Sequence, residues 1–345
     1  MTNEERVQAI ADYGFTNRQA RFLRLVMQHS GLCIKRQYAS FMDVPPGGAQ
    51  CNGFFDKLVR RGYAVAADCI HNRARLYHVH HKPLYHAIGN QDSRYRRAVP
   101  ARQAADRLMR LDAALIEPDP EWLTTRAEKL AHLTVRRDEA GDPATEKPCL
   151  GTDLFPGTFP IGVDATGRVV LLYVASAPWT DDFRVFLVGH MALLAVTPRW
   201  TVRVVFPQSL QRAKTDYEYA VHEELENPLS PAALNELRWY FFHRRREDFA
   251  TMGDLLRERF TRCARTFAGP RFARLYQQWR ADENADLGQV PASVAEAGAA
   301  GRAGLECLVL PHSYESFSPL VRRRRSRRAR SERADEAADK TTAHP

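Results

Sequence analysis

The chain has 345 residues, 44% of them hydrophobic and 10% aromatic, enough to bury more than one core, which excludes a wholly disordered polymer. No apolar run approaches the ~20 residues of a membrane span, and the polar, acidic start MTNEERVQAIADYG does not read as a secretory signal. The formal net charge of +9 points to an acidic partner, and six scattered cysteines without a Cys-x-x-Cys pair argue against a disulfide framework or a cysteine-held zinc.

The charge is unevenly placed. Residues 1–90 hold twelve basic and six acidic side chains, and 91–150 hold eleven of each. Residues 151–310 hold eighteen and nineteen, and 311–345 hold nine and five. Positive charge at both ends of a neutral middle is the footprint of a small nucleic-acid-binding module joined to a larger domain. A merely solvated basic surface would give the same count.

In chain order, Thr16 and Gln19 form a capping box opening a helix. Phe22, Leu25, Val26 and His29 recur along it at helical spacing, and Gly31 stops it. A second helix covers Lys35 to Met42, and Pro45-Pro46-Gly47-Gly48 breaks the chain. A third runs from Ala49 to Arg61 with Phe54, Phe55, Leu58 and Val59 inward. A short strand at Tyr63–Ala66, a polar turn holding His71-Asn72-Arg73 and an alternating strand at Arg75–His80 follow. Helices, turn, helix and a basic-tipped ribbon are the order of a winged helix-turn-helix, expected over residues 1–90. The third helix would enter the major groove of double-stranded DNA, with Gln50 and Asn52 offering amides to base edges. Lys35, Arg36, Lys57, Arg60 and Arg61 would reach phosphates, as would Arg73 and Arg75 on the ribbon.

His78-Val79-His80-His81 supports a sharper alternative. Two imidazoles two residues apart on a strand share a face, a spacing used to hold a divalent metal in enzymes that nick single strands, with Tyr77 or Tyr85 as nucleophile. The same residues also fit the second strand of the ribbon, where they need no metal.

Residues 91–148 read as a helical connector and loop. Leu108, Leu111 and Leu115 lie a turn apart, Pro118 and Pro120 interrupt, Trp122 leads a second helical piece to Leu133, and Arg136 to Pro148 forms an exposed loop. From 149 to 280 the pattern is mixed α/β. It has a hairpin at Phe159–Asp164 and Arg168–Ala175, a helix at Asp181–Val196, a strand at Trp200–Phe206, and helices at Ser230–Arg246 and Phe249–Phe267. Residues 281–345 read as a low-complexity, largely disordered tail. Its block Arg322-Arg323-Arg324-Arg325-Ser326-Arg327-Arg328-Ala329-Arg330 would bind any polyanion by counterion release.

The stretches Thr16–Leu23, Gln37-Tyr38 and Phe55–Gly62, with the Phe159–Ala175 hairpin and the helix-strand unit after it, resemble the replication-relaxation family of bacterial plasmids and integrative conjugative elements. The resemblance spans about residues 15–210. It implies an α+β protein that joins a winged helix-turn-helix to a restriction-endonuclease-like domain. A working nuclease of that fold needs an acid at the hairpin turn, then a carboxylate and a lysine two residues apart on the next strand. Here Asp164 is the only acid in the hairpin, Tyr173 stands at the carboxylate position and Ala175 at the lysine position. Asp181-Asp182 open a helix, where acids favour its dipole. The expectation is a non-catalytic DNA-binding protein of a mobile element, cytoplasmic and associated with nucleoid or plasmid. It would act in replication control, conjugative transfer or local transcription, without cofactor, metal or membrane. Its partners would be DNA and a second copy or replication and transfer proteins. Two alternatives remain: a metal-dependent nicking enzyme or nuclease using His78 and His80 or a site near Asp164, and an assembly protein whose α/β domain docks a partner.

Overall fold

The computed structural model describes residues 1–68, 75–116, 120–140, 154–155 and 159–314. The chain divides into two compact units. One comprises Met1–Ile116 with Ser313–Pro345, the other Glu117–His312. The ribbon tip with His71, Asn72 and Arg73, most of the predicted 136–148 loop, and the arginine block 322–330 lie outside the described residues.

In the first unit, Thr2 caps α1 (Asn3–Ala11), an element that the sequence reading passes over. Thr16 and Gln19 close the expected capping box on α2 (Asn17–His29). A two-residue strand, β1 (Leu32–Cys33), precedes α3 (Lys35–Met42); α4 (Ala49–Arg60), β2 (Ala64–Asp68) and β3 (Arg75–Val79) follow. The three strands form an antiparallel sheet in the order β1-β3-β2. Aromatic packing locks the helices to it. Tyr38 of α3 stacks on Phe54 of α4 with centroids 3.9 Å apart, and Phe55 meets Tyr77 of β3 at 4.1 Å. Burying such side chains stabilises by about 1.5–3 kcal/mol each. The inward face of α4 is Cys51, Phe54, Phe55 and Leu58; Val59, expected with them, is 42% exposed because it falls about 90° round the helix from the centre of that face.

The predicted connector does not exist as one piece. After α5 (Lys82–Ala87), α6 (Ala101–Ile116) belongs to the first unit, where Gln37 donates to the Leu108 carbonyl at 2.9 Å. Trp122 sits in a strand, β4 (Glu121–Leu123), rather than in a helix; the ladder to the next strand outweighs its helical flanks. Then α7 runs from Arg126 to Ala140, past the expected loop start at Arg136.

The second unit is built on a five-stranded mixed sheet in the order β4-β5-β6-β7-β8. The hairpin β5 (Ile161–Val163) and β6 (Val169–Val174) is antiparallel; β6 runs parallel to β7 (Trp200–Pro207), reached through α8 (Asp181–Gly189) and α9 (Met191–Val196). The run VVLLYV makes β6 a strand with little exposed surface, as its unbroken apolar pattern requires. Beyond α10 (Lys214–Val221) a single π turn, His222–Glu226, carries two buried or half-buried carboxylates. The helices α11 (Pro231–Arg246), α12 (Asp254–Thr266) and α13 (Pro270–Ala281) enclose a core of their own around Phe241, Leu275 and Trp279.

The reading of residues 281–345 as disordered fails over its first part. Ala292–Ala299 is a helix, α14, and Ala303–Leu310 is the edge strand β8, parallel to β7 from Trp200↔Ala303 to Pro207↔Leu310. Alanine-rich composition, read as low complexity, is also strong helix propensity. The strand is specified by pairing with a segment about a hundred residues away.

Candidate nucleic-acid interface

The exposed face of α4 is positioned by the turn before it. Asp43 ends α3 in the left-handed region at φ 55°, and Gly48 N–H donates to the Pro45 carbonyl at 3.0 Å. Asn52 stabilises this turn. Its side-chain amide donates to the Gly47 carbonyl at 2.9 Å, and its oxygen accepts from Lys35 Nζ. Asn52 and Lys35, predicted to contact a base and a phosphate, are thus hydrogen-bonded to each other.

Three other predicted phosphate contacts are held inside the unit. Arg36 forms a two-toothed pair with Asp112 of α6 at 2.7 and 3.2 Å. Lys57 donates to the Gly14 carbonyl and lies 4.7 Å over the Phe15 ring, and burial followed by the neighbouring Arg61 charge lowers its pKa. Arg61 donates to the Tyr13 carbonyl at 2.8 Å. The carbonyls of the α1–α2 turn have no helical partner, so they take these cations. That turn needs Gly14. Its φ is +85°, and a Cβ there would stand 2.8 Å from an Arg61 nitrogen.

The exposed residues of α4 are Ala49, Gln50, Gly53, Asp56, Val59 and Arg60. No hydrogen bond engages the side chain of Gln50 or Arg60 among the described residues. Gly53 meets nothing within 4 Å, leaving bare backbone beside them. On the ribbon, Val65 to Asp68 are exposed on both strand faces, so β2 projects beyond the core. Arg75 is exposed and ion-paired with Asp68 at 3.4 Å.

Comparison with protein-family models, with curated proteins and with solved structures finds no match to this chain. Function is therefore argued from side chains alone.

Several residues of the catalytic alternatives have partners within the fold. His78 Nε2 lies 3.0 Å from the Tyr95 carbonyl, and burial lowers its pKa against that hydrogen bond. Its ring is 5.9 Å from that of His80, and among the described residues no group of three histidine, cysteine or carboxylate side chains gathers to hold a metal. Both candidate nucleophiles are buried: Tyr77 beneath Phe55, and Tyr85 with its hydroxyl donating to the Val79 carbonyl at 3.1 Å. Asp164 is occupied by the hairpin turn. It accepts from Thr166 N–H at 2.8 Å, Thr166 hydroxyl at 2.7 Å and Arg168 N–H at 2.9 Å. Burial raises its carboxyl, but those bonds outweigh it and hold the pKa below the usual range. Tyr173 packs among Phe183 at 4.9 Å and Phe186 at 5.0 Å, and Ala175 is fully buried.

Sequence reasoning missed the charged groups buried in the second unit. Arg184 pairs with Glu223 at 2.6 Å and Glu224 at 3.0 Å, and Arg274 pairs with Glu224 at 2.8 Å. The adjacent glutamates in an apolar-flanked helix were the available signal, but their partners are 39 to 50 residues away.

Proposed function

We propose that this protein binds double-stranded DNA through a winged helix-turn-helix in its first unit, without catalysis. The observation that carries the reading is the sheet order β1-β3-β2, with β1 between α2 and α3, set behind an α4 whose outer face is free. That arrangement leaves Gln50, bare Gly53 and Arg60 for a groove, and a ribbon projecting into solvent for the adjacent backbone. The +6 formal charge of residues 1–90 supports it. Asp56 on the same face disfavours phosphate at its position and confines close approach to the two ends of α4. The second unit, with its hairpin, crossover and parallel strand, is consistent with a degenerate restriction-endonuclease-like domain, and the sequence resemblance to the replication-relaxation family favours a bacterial mobile element as its setting. Tyr173 and Ala175 at the metal-binding and lysine positions support loss of the nuclease chemistry.

Selection of sites from a random duplex pool with the full chain tests the reading. A single enriched motif is expected, and Arg60→Ala should weaken binding to every sequence and flatten the salt dependence by about 0.9 in log–log slope. Enrichment of nothing, or an unchanged slope, removes α4 from the interface. Magnesium- or manganese-dependent nicking of supercoiled plasmid would overturn the non-catalytic part.

A further inference from the structure

The near-neutral balance of residues 151–310 conceals a segregation. Residues 231–281, the three helices α11 to α13, contain eleven arginines, no lysine and five carboxylates. The remainder of that stretch contains seven basic and fourteen acidic residues. The helical trio is thus a cationic body within an otherwise acidic stretch, and its cations are of the kind that binds phosphate with a planar fork and stacks on rings. The stacking is visible. Arg244 lies 4.3 Å from the Tyr276 ring centroid, Arg246 5.2 Å from Phe242, Arg257 5.6 Å from Phe249 and Arg259 4.0 Å from Trp239.

On this body α12 borders an open groove of about 560 Å³. Phe249 lies at its edge with 42% of its surface exposed, and Arg257, Thr261, Arg262 and Arg265 line it along one helix face. From Arg257 to Arg265 is about 12 Å along the axis at 1.5 Å per residue. Arg262 and Arg265 are exposed, and no ion pair or hydrogen bond engages either side chain among the described residues. Asp254 and Glu258 also line the groove, Asp254 lying 3.7 Å from Arg257.

We propose that this groove binds a short single-stranded run of nucleic acid, distinct from the duplex site of the first unit. Arg262 and Arg265 hold phosphates, and the part of the Phe249 ring left exposed beside Arg257 and Phe260 meets an unpaired base. Charge complementarity selects a polyanion, and the exposed ring selects among polyanions. A base in a duplex has both faces covered, whereas an unpaired base offers one to an aromatic platform. Glu258 opposes the backbone and tempers the affinity.

The test uses the full chain and a fluorescein-labelled oligo(dT) 20-mer, followed by anisotropy across a salt series. Arg262→Glu with Arg265→Glu should lower affinity at least tenfold and flatten the log–log salt slope by about 1.4, two contacts at about 0.7 each. Phe249→Leu, which keeps apolar packing on Phe260, should lower affinity about tenfold at unchanged slope. Glu258→Gln should raise affinity about threefold, a gain that misfolding cannot mimic. An oligonucleotide carrying 5-iododeoxyuridine should photo-crosslink within residues 247–266. The proposal is overturned by a crosslink confined to other segments, or by equal affinity in the arginine variant. It is also overturned by equal losses on a duplex 20-mer, or by displacement of the oligonucleotide by polyglutamate at matched charge, which would mark an acidic protein partner. None of these outcomes touches α4, so the duplex site stands or falls separately.

Discussion

The hydroxyl of Tyr314 donates to Asp112 Oδ2 at 2.5 Å, and Arg36 grips both oxygens of the same carboxylate. A residue four positions past the last strand thereby joins a buried ion pair of the first unit, with Asp112 only 8% exposed in its side chain. Burial, then the Asp112 charge, pushes the Tyr314 phenol up, so it stays a donor at all ordinary pH. Tyr314→Phe removes one hydrogen bond to a charge and should lower the stability of the first unit by about 1.5–3 kcal/mol. Urea denaturation of the full chain measures it, and a change below about 0.5 kcal/mol would show the contact to be dispensable.

His29 should make the first unit acid-sensitive. Burial, followed by the charges of Arg24 and Arg110, pushes its imidazole down to about 3. The unfolded imidazole titrates near 6.5, so between those values the unfolded chain binds the extra proton. The stabilisation is complete above about pH 6.5 and declines by about 1.4 kcal/mol per pH unit below it, down to about pH 3. His29→Leu should have a flatter stability profile between pH 4 and 6.5 than the parent. Since His78 is shifted in the same direction, the difference between the two profiles is the measurement, and parallel profiles would refute the assignment.

Asn52 and Gln50, two residues apart, should behave oppositely. Asn52→Ala frees Lys35 and the Gly47 carbonyl and should cost about 1 kcal/mol of stability while leaving the selected DNA motif intact. Gln50→Ala should leave stability within about 0.5 kcal/mol and relax preference at one base pair by about 1–3 kcal/mol. Motif selection and thermal melting of both variants decide. An altered motif in the Asn52 variant would return that residue to the interface.

Glu224 should be the most sensitive polar residue of the second unit. Its side chain is 2% exposed and pairs with Arg184 and Arg274, themselves 3% and 13% exposed. Glu224→Ala leaves those cations buried without it, a change that typically costs about 3–5 kcal/mol. Asp181→Asn, on an exposed helix start, should change stability by under about 0.5 kcal/mol. Chemical denaturation followed by tryptophan fluorescence compares them, and equal effects would deny the cluster its structural role.

Local signals were legible wherever one segment carries its own instructions. Thr16 and Gln19 announce α2, and the apolar runs at 169–174 and 200–206 announce β6 and β7. The helix that carries the proposed interface was legible, since α4 follows from its aromatic spacing, but the partners of its side chains were not. Five cations were assigned to phosphate on α3 and α4, and four of them instead find internal oxygens: Lys35 on Asn52, Arg36 on Asp112, Lys57 on Gly14 and Arg61 on Tyr13. Charge in a sequence says that a cation is present; it does not say whether a carbonyl or a carboxylate elsewhere in the fold reaches it first.

The sequence by itself determined the mixed α+β character, the order of three helices and a ribbon over residues 16–80, and the absence of a carboxylate at residue 173. Each is a matter of residue identity or of spacing within about fifteen positions, where helix and strand periods act directly. Only the tertiary structure decided that α14 and β8 are ordered, that the connector splits between two units, and that α11 to α13 form a separate cationic body. Those outcomes depend on partners far along the chain. Strand β8 exists because β7 offers a parallel edge, Tyr314 is held because Asp112 and Arg36 are already paired, and α11 to α13 form one body because they share the core around Phe241, Leu275 and Trp279.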